Sequence, residues 1–160
     1  MLDKLVLPRA LAIVNQGLLI GEPPHLWLCP TSTGRSADID CSAKRKLGIY
    51  GDQPGSVEHA ENGLLLGLDN WLYSAKSNRR LRIEGERLLE EPTLFRGQWG
   101  ISQDDDGRIL TNRNPVPVDY ELLPPSVTKR NPNYKFDPGT LRISNKVWPA
   151  HPTPGVNRGY

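Results

Sequence analysis

The sequence predicts an all-β fold, and three observations carry that prediction. Fifteen glycines and fifteen prolines punctuate a chain of 160 residues, and no apolar pattern of helical period runs long enough between them for an ordinary helix. The stretch Gly63-Leu64-Leu65-Leu66-Gly67-Leu68, then Asp69-Asn70, then Trp71-Leu72-Tyr73 reads as strand, turn and strand. Asp and Asn suit the turn, and the aromatic residues after it suit a pleated, half-buried surface. The third observation is recurrence. Moved forward so that Gly63 falls on Gly100, the hairpin puts Leu64 on Ile101, Asp69 on Asp106, Asn70 on Gly107 and Leu72 on Ile109. Moved back so that Gly63 falls on Ala10, it puts Leu64 on Leu11, Asn70 on Gly17 and Leu72 on Leu19.

A repeat at this spacing matches the roughly 40–50 residues of a four-stranded β-propeller blade, which buries its faces by stacking on neighbours. Taken in order, the chain divides into blade-like repeats near residues 5–50, 58–92 and 95–125, with 126–160 as the loop-rich start of a further one. The connectors Pro30 to Lys46 and Ser77 to Glu91 have the length of outer strands and loops. Pro115, Pro117, Pro124, Pro125, Pro132 and Pro138 argue against central strands where they fall, because proline lacks the N–H a ladder needs. Leu11, Ile13, Leu19, Leu64, Leu66, Leu72, Ile101 and Ile109 are the expected core. Propellers close with about four to eight blades, so the chain reads as part of one, a fragment of a six- or seven-bladed ring.

Composition excludes several classes of function. A net charge of +2 with scattered basic residues gives no footprint for nucleic acid. Nothing approaches the roughly 20 apolar residues of a membrane helix, and the start, Met1-Leu-Asp-Lys-Leu5, is not a signal peptide. Cys29 and Cys41 could form one disulfide in an oxidising compartment; without nearby histidines they make no zinc site, and no haem-attachment sequence is present. Asp104-Asp105-Asp106-Gly107 is hairpin-turn chemistry rather than a calcium loop, whose full spacing is missing. Asn78, Arg79, Arg80 and Arg82 read as a solvated strand face.

The repeat places His59 four residues before Gly63 and Arg96 four before Gly100, equivalent sites ahead of successive innermost strands. In a radial array such sites share the mouth of the central channel, with Glu58, Glu61, Asn62 and Gln98 close by. Imidazole beside a fixed cation suits removal of a proton from a bound hydroxyl. A structural histidine packed on Trp71 or bonded to Glu58 would look the same in sequence.

The segments His59-x-x-Asn62-x-Leu64-x-x-Gly67-x-Asp69 and Arg96-x-x-x-Gly100, with the later Asp106-Gly107-x-Ile109, resemble two blades of the soluble quinoprotein glucose and sorbosone dehydrogenases. Leu7-Pro8-Arg9-Ala10, Glu22-Pro23-Pro24, Leu68-Asp69-Asn70-Trp71-Leu72-Tyr73, Phe95-Arg96-Gly97-Gln98-Trp99-Gly100 and Pro154-Gly155-Val156-Asn157-Arg158-Gly159-Tyr160 more closely resemble the propeller domain of the membrane-bound dehydrogenases. That resemblance implies a sugar or alcohol substrate and pyrroloquinoline quinone (PQQ) as cofactor. It also implies a c-type cytochrome domain in the parent protein and a periplasmic, membrane-associated or otherwise exported location. His59 would be the base, Arg96 the arginine beside substrate and quinone, and Glu58, Glu61, Asn62 and Gln98 the binding residues, with no metal. Gly97 stands where the quinoproteins tend to have Asn, and the basic residues that grip the quinone belong to repeats outside this chain, so alone it would be incomplete and inactive. The alternative is a non-catalytic binding or scaffold module of a multidomain exported protein, since fold alone does not assign chemistry.

Overall fold

The computed structural model describes residues 4–51, 59–114, 116–124, 132–133 and 140–143. They form three four-stranded antiparallel sheets, and a short 3-10 turn lies at Ser36–Asp38. In the first sheet β1 (Ala10–Val14), β2 (Gly17–Glu22), β3 (His25–Pro30) and β4 (Arg45–Ile49) lie side by side in chain order. The second repeats that meander with β5 (Asn62–Leu66), β6 (Leu72–Ala75), β7 (Ser77–Glu84) and β8 (Arg87–Arg96). The third does so with β9 (Ile101–Gln103), β10 (Ile109–Arg113), β11 (Val116–Glu121) and β12 (Thr140–Arg142). Ala10 opens β1, Gly63 is the second residue of β5, and Gly100 immediately precedes β9.

Consecutive strands lie side by side, which makes each sheet a meander, and the turn residues are those the backbone requires. Asn70 holds φ at 62° in the β5–β6 turn, a conformation Asn tolerates better than most side chains. Gly17 opens β2 at φ 140°, and a Cβ there would stand 2.0 Å from the Cys29 carbonyl oxygen across the ladder, so no side chain fits.

The two faces of the middle sheet organise the core. Leu72 and Leu81 pack with Ala10, Leu19, Leu26, Leu28 and Tyr50 of the first sheet and the segment after it. Trp71 and Tyr73 pack with Ile109, and with partly buried Leu89 and Ile101, toward the third sheet. The first strands adjoin, β5 beside both β1 and β9, and the Gly63 N–H donates to the Arg9 carbonyl at 3.2 Å. Cys29 and Cys41 are joined by a disulfide, which closes the lobe between β3 and β4.

Three expectations are corrected. Leu11 and Ile13 are 62% and 63% exposed, and Leu66 is 42% exposed. Because strand side chains alternate, burying Ala10 turns Ala12 and Val14 inward with it and Leu11 and Ile13 outward. Pro117 lies within β11, a strand flanked by β10 and β12. The ladder spares its missing N–H: β12 reaches only Asp119–Glu121, and the β10 register shifts between Thr111 and Arg113. Arg79 and Arg80 are not a solvated face, with side chains only 14% and 13% exposed.

Removing the disulfide by Cys29→Ser with Cys41→Ser is expected to lower unfolding free energy by about 3 kcal/mol, the chain-entropy value for a loop this short. Urea denaturation of the oxidised wild type against the double variant checks it, and equal midpoints would show the bridge to be absent in solution.

Candidate functional site

The end of the sheets where β5 begins and β8 finishes gathers most of the residues singled out by sequence. His59 is exposed just ahead of β5. Its Nδ1 lies 3.4 Å from Gln98 Nε2, and its ring faces the Trp99 indole at 6.3 Å between centroids, tilted by 35°. The Asn114 backbone N–H donates to Gln98 Oε1 at 3.4 Å. An amide oxygen accepts and an amide nitrogen donates, so this contact turns the Gln98 NH2 toward His59. Neutral His59 must then accept at Nδ1 and carry its proton on Nε2.

Local backbone chemistry fixes that arrangement. Gly97, at φ +40°, lets the chain leave β8 so close to β10 that a Cβ would stand 2.7 Å from the Asn112 carbonyl oxygen. The Gln98 N–H then donates to that oxygen at 2.6 Å. Asn62 Nδ2 donates to the Gln98 carbonyl at 2.9 Å and to the Ala60 carbonyl at 3.2 Å. Asn62 is therefore a strap holding the Gln98 segment against β5, itself buried.

Glu61 and Arg96 face inward instead. Glu61 is 4% exposed; its Oε2 accepts from the Gly51 N–H at 3.1 Å and from Arg79 Nη2 at 2.9 Å. Arg79 also reaches the Ile49 carbonyl and Glu90, each at 2.9 Å, so this ion pair fastens the second sheet to the end of the first. Arg96 is 1% exposed. Its Nε lies 2.7 Å from Glu121 Oε1, its Nη2 donates to Thr93 Oγ1 at 2.9 Å, and its guanidinium stacks 4.4 Å from the Tyr73 ring centroid. The structure thus brings His59, Asn62 and Gln98 together and leaves Arg96 no surface to offer a ligand. Glu58 lies outside the described residues.

Burial raises the Glu121 carboxyl above its ordinary range against the pull of Arg96. Burial, then the hydrogen bond it donates to Asp69, pushes the Tyr73 phenol up to about 12. Asp104 is held low, first by the Tyr120 hydroxyl at 2.6 Å; its Oδ1 accepts from the backbone N–H groups of Asp106 and Arg108. Among the described residues no group of three or more His, Cys, Asp or Glu side chains is placed to hold a metal ion. No helix of the described residues is long and apolar enough to cross a membrane.

Sequence reasoning missed Trp99, Asn114 and Arg79. Trp99 adjoins Gln98 and was open to notice as an aromatic beside the candidate pair. The roles of Asn114 and Arg79 depend on cross-strand register, which sequence does not display.

A family model described as a domain of unknown function (DUF7133) matches residues 1–158. The chain is also similar to the UPF0763 protein WS1752 of Wolinella succinogenes, with 34% identity over 79 residues. That match covers 49% of this chain and 53% of the relative, so the chain spans about half of that protein's length. No solved structure matches.

At neutral pH, Arg96→Met is expected to cost about 3–5 kcal/mol, because it leaves the buried Glu121 carboxyl without its counter-charge. The double change Arg96→Met with Glu121→Leu should recover most of the loss. The raised carboxyl pKa stabilises the fold fully below the ordinary glutamate range and loses that contribution as pH rises through its folded value. Glu121→Gln should therefore flatten that limb of the stability–pH curve, read by thermal melts across pH.

Proposed function

We propose, for a chain that belongs to the DUF7133 family, that the three sheets are consecutive blades of a β-propeller in a multidomain exported protein. On this reading the propeller's rim binds a small hydroxylated molecule, a sugar or an alcohol, through His59, Gln98 and Trp99. Three consecutive four-stranded meanders with adjoining first strands support the propeller. The Cys29–Cys41 disulfide supports an oxidising, exported location.

The observation that carries the binding reading is the Asn114–Gln98–His59 chain of contacts. It leaves the neutral imidazole as an Nε2–H donor toward solvent, beside a partly exposed indole face. A donor and an aromatic plate suit a ligand that offers hydroxyl oxygens and an apolar ring or chain face. A general base needs the opposite, a free lone pair on the outward nitrogen.

The same site does not fit the quinone of the resembling dehydrogenases. Arg96, the cation that would meet quinone or substrate, is bound by Glu121 and Thr93 and covered by Tyr73. The exposed His59 ring favours a second reading, a dehydrogenase propeller that hands electrons to a c-type cytochrome domain. It would require the Gln98 amide reversed and Arg96 released from Glu121.

Titration calorimetry with D-glucose, sorbitol and glycerol tests the proposal on the longest polypeptide that carries this chain. Binding of at least one is expected, with His59→Ala and Gln98→Ala each weakening it about tenfold, the loss of one hydrogen bond. Absence of binding overturns the proposal, and sugar oxidation that disappears on acidification and in His59→Gln would establish the second reading instead.

A further inference from the structure

The first and second sheets part toward the end of β5 that lies away from His59. Ala10 is buried where β1 begins, and Ala12 and Val14, further along the same face, are only half-buried. Along β5, Asn62 is buried, Leu64 half-buried and Leu66 42% exposed. Between the two sheets at that end lies a cavity of about 440 Å³, inside the roughly 300–1,000 Å³ that small-molecule pockets occupy. Val14, Leu66, Leu72 and Ile83 give it aliphatic walls, and Leu72 belongs to the core that the two sheets share.

Polar residues complete the lining: Asn15 and Gln16 from the β1–β2 turn, and Asn70 from the β5–β6 turn. Backbone hydrogen bonds hold both turns, the Gln16 carbonyl accepting from the Thr31 N–H and the Asn70 N–H donating to the Gly67 carbonyl, each at 3.0 Å. Among the described residues no side-chain hydrogen bond engages any of the three carboxamides, each of which brings two donors and an acceptor. Arg82 also lines the cavity, but its guanidinium pairs with Glu84 and stands 5.1 Å from the ring centroid of Trp71, which packs toward the third sheet. Its charge is therefore met on the other side of the second sheet.

We propose that this cleft binds an uncharged small amphiphile, its aliphatic chain between the sheets and its head, a group that both donates and accepts hydrogen bonds such as a primary amide, on Asn15, Gln16 and Asn70. The aliphatic walls favour a chain that displaces water from them. The three carboxamides favour a head with both kinds of hydrogen-bonding group. A carboxylate only accepts, and between these walls it would lose water without meeting a counter-charge. This site shares no residue with the one at His59 and stands whether or not that end binds a sugar.

Methyl NMR on the longest polypeptide that carries this chain, labelled at Ile, Leu and Val, tests it with hexanamide as the probe. Saturable shifts are expected at Val14, Leu66, Leu72 and Ile83, with a Kd in the millimolar range that suits a ligand of about eight non-hydrogen atoms. Hexanoate should bind at least about tenfold more weakly, and acetamide, the head alone, should give no saturable shift. Leu66→Trp fills the cleft from a partly exposed position and should abolish binding. Asn70→Gly keeps the positive φ of the turn, removes one carboxamide and should weaken binding about fivefold. Wild-type methyl signals from Leu26 and Val116, which do not line the cleft, show that each variant folds. Shifts that are absent or never saturate, hexanoate binding as tightly as hexanamide, or binding untouched by either variant each overturn the proposal.

Discussion

The contact on which the rest of the described structure most depends is the buried ion pair between Arg96 and Glu121. Arg96 ends β8 and Glu121 ends β11, so the pair locks the outermost strand of the second sheet to the third. Two charges removed from water are tolerable only when their remaining hydrogen-bonding capacity is met. Thr93 and the Leu94 carbonyl take further guanidinium hydrogens, and Tyr73 covers the cation with its ring. Everything at the His59 end hangs from that anchor. Gly97 and Gln98 follow Arg96 directly, so the path of the chain after the ion pair decides where the Gln98 amide points.

A second theme is that ionic and polar ties, more than apolar contacts, join one sheet to the next at this end. Glu61 and Arg79 fasten the second sheet to the backbone at Ile49 and Gly51, and Asn62 fastens it to the Gln98 carbonyl. Hydrogen bonds of this kind are directional where apolar burial is not. They fix rotation and height between sheets that the aliphatic core would otherwise let slide.

Much of the architecture was legible in the residues. The turn chemistry at Asp69-Asn70 and Asp106-Gly107, and the matched small residues Ala10, Gly63 and Gly100, located the first two strands of each sheet. What escaped was anything set by facing. Leu11 and Ile13 looked like core because they are branched and apolar, yet strand alternation tied them to the opposite side from Ala10. Arg79 and Arg80 looked like surface because they are charged, yet cross-strand carboxylates and the Trp71 ring, 4.2 Å from the Arg80 guanidinium, take them in. At the candidate site the neighbourhood of His59, Asn62 and Gln98 followed from position in the repeat. The burial of Arg96 did not, because its partner Glu121 lies 25 residues away in a proline-rich stretch that gave little strand signal.

The Cys29–Cys41 bridge also makes the segment between β3 and β4 a covalent ring rather than an open loop. Within it the Thr31 hydroxyl donates to the Arg35 carbonyl, and Thr33 donates to Asp38, so the ring carries its own internal bracing. A protease that cuts once inside it opens the ring but severs nothing: the two pieces stay joined through sulfur and travel as one molecule until a reductant parts them. The lobe is thus where the chain can be nicked without being divided, and where its length as measured by electrophoresis depends on the redox state of the sample.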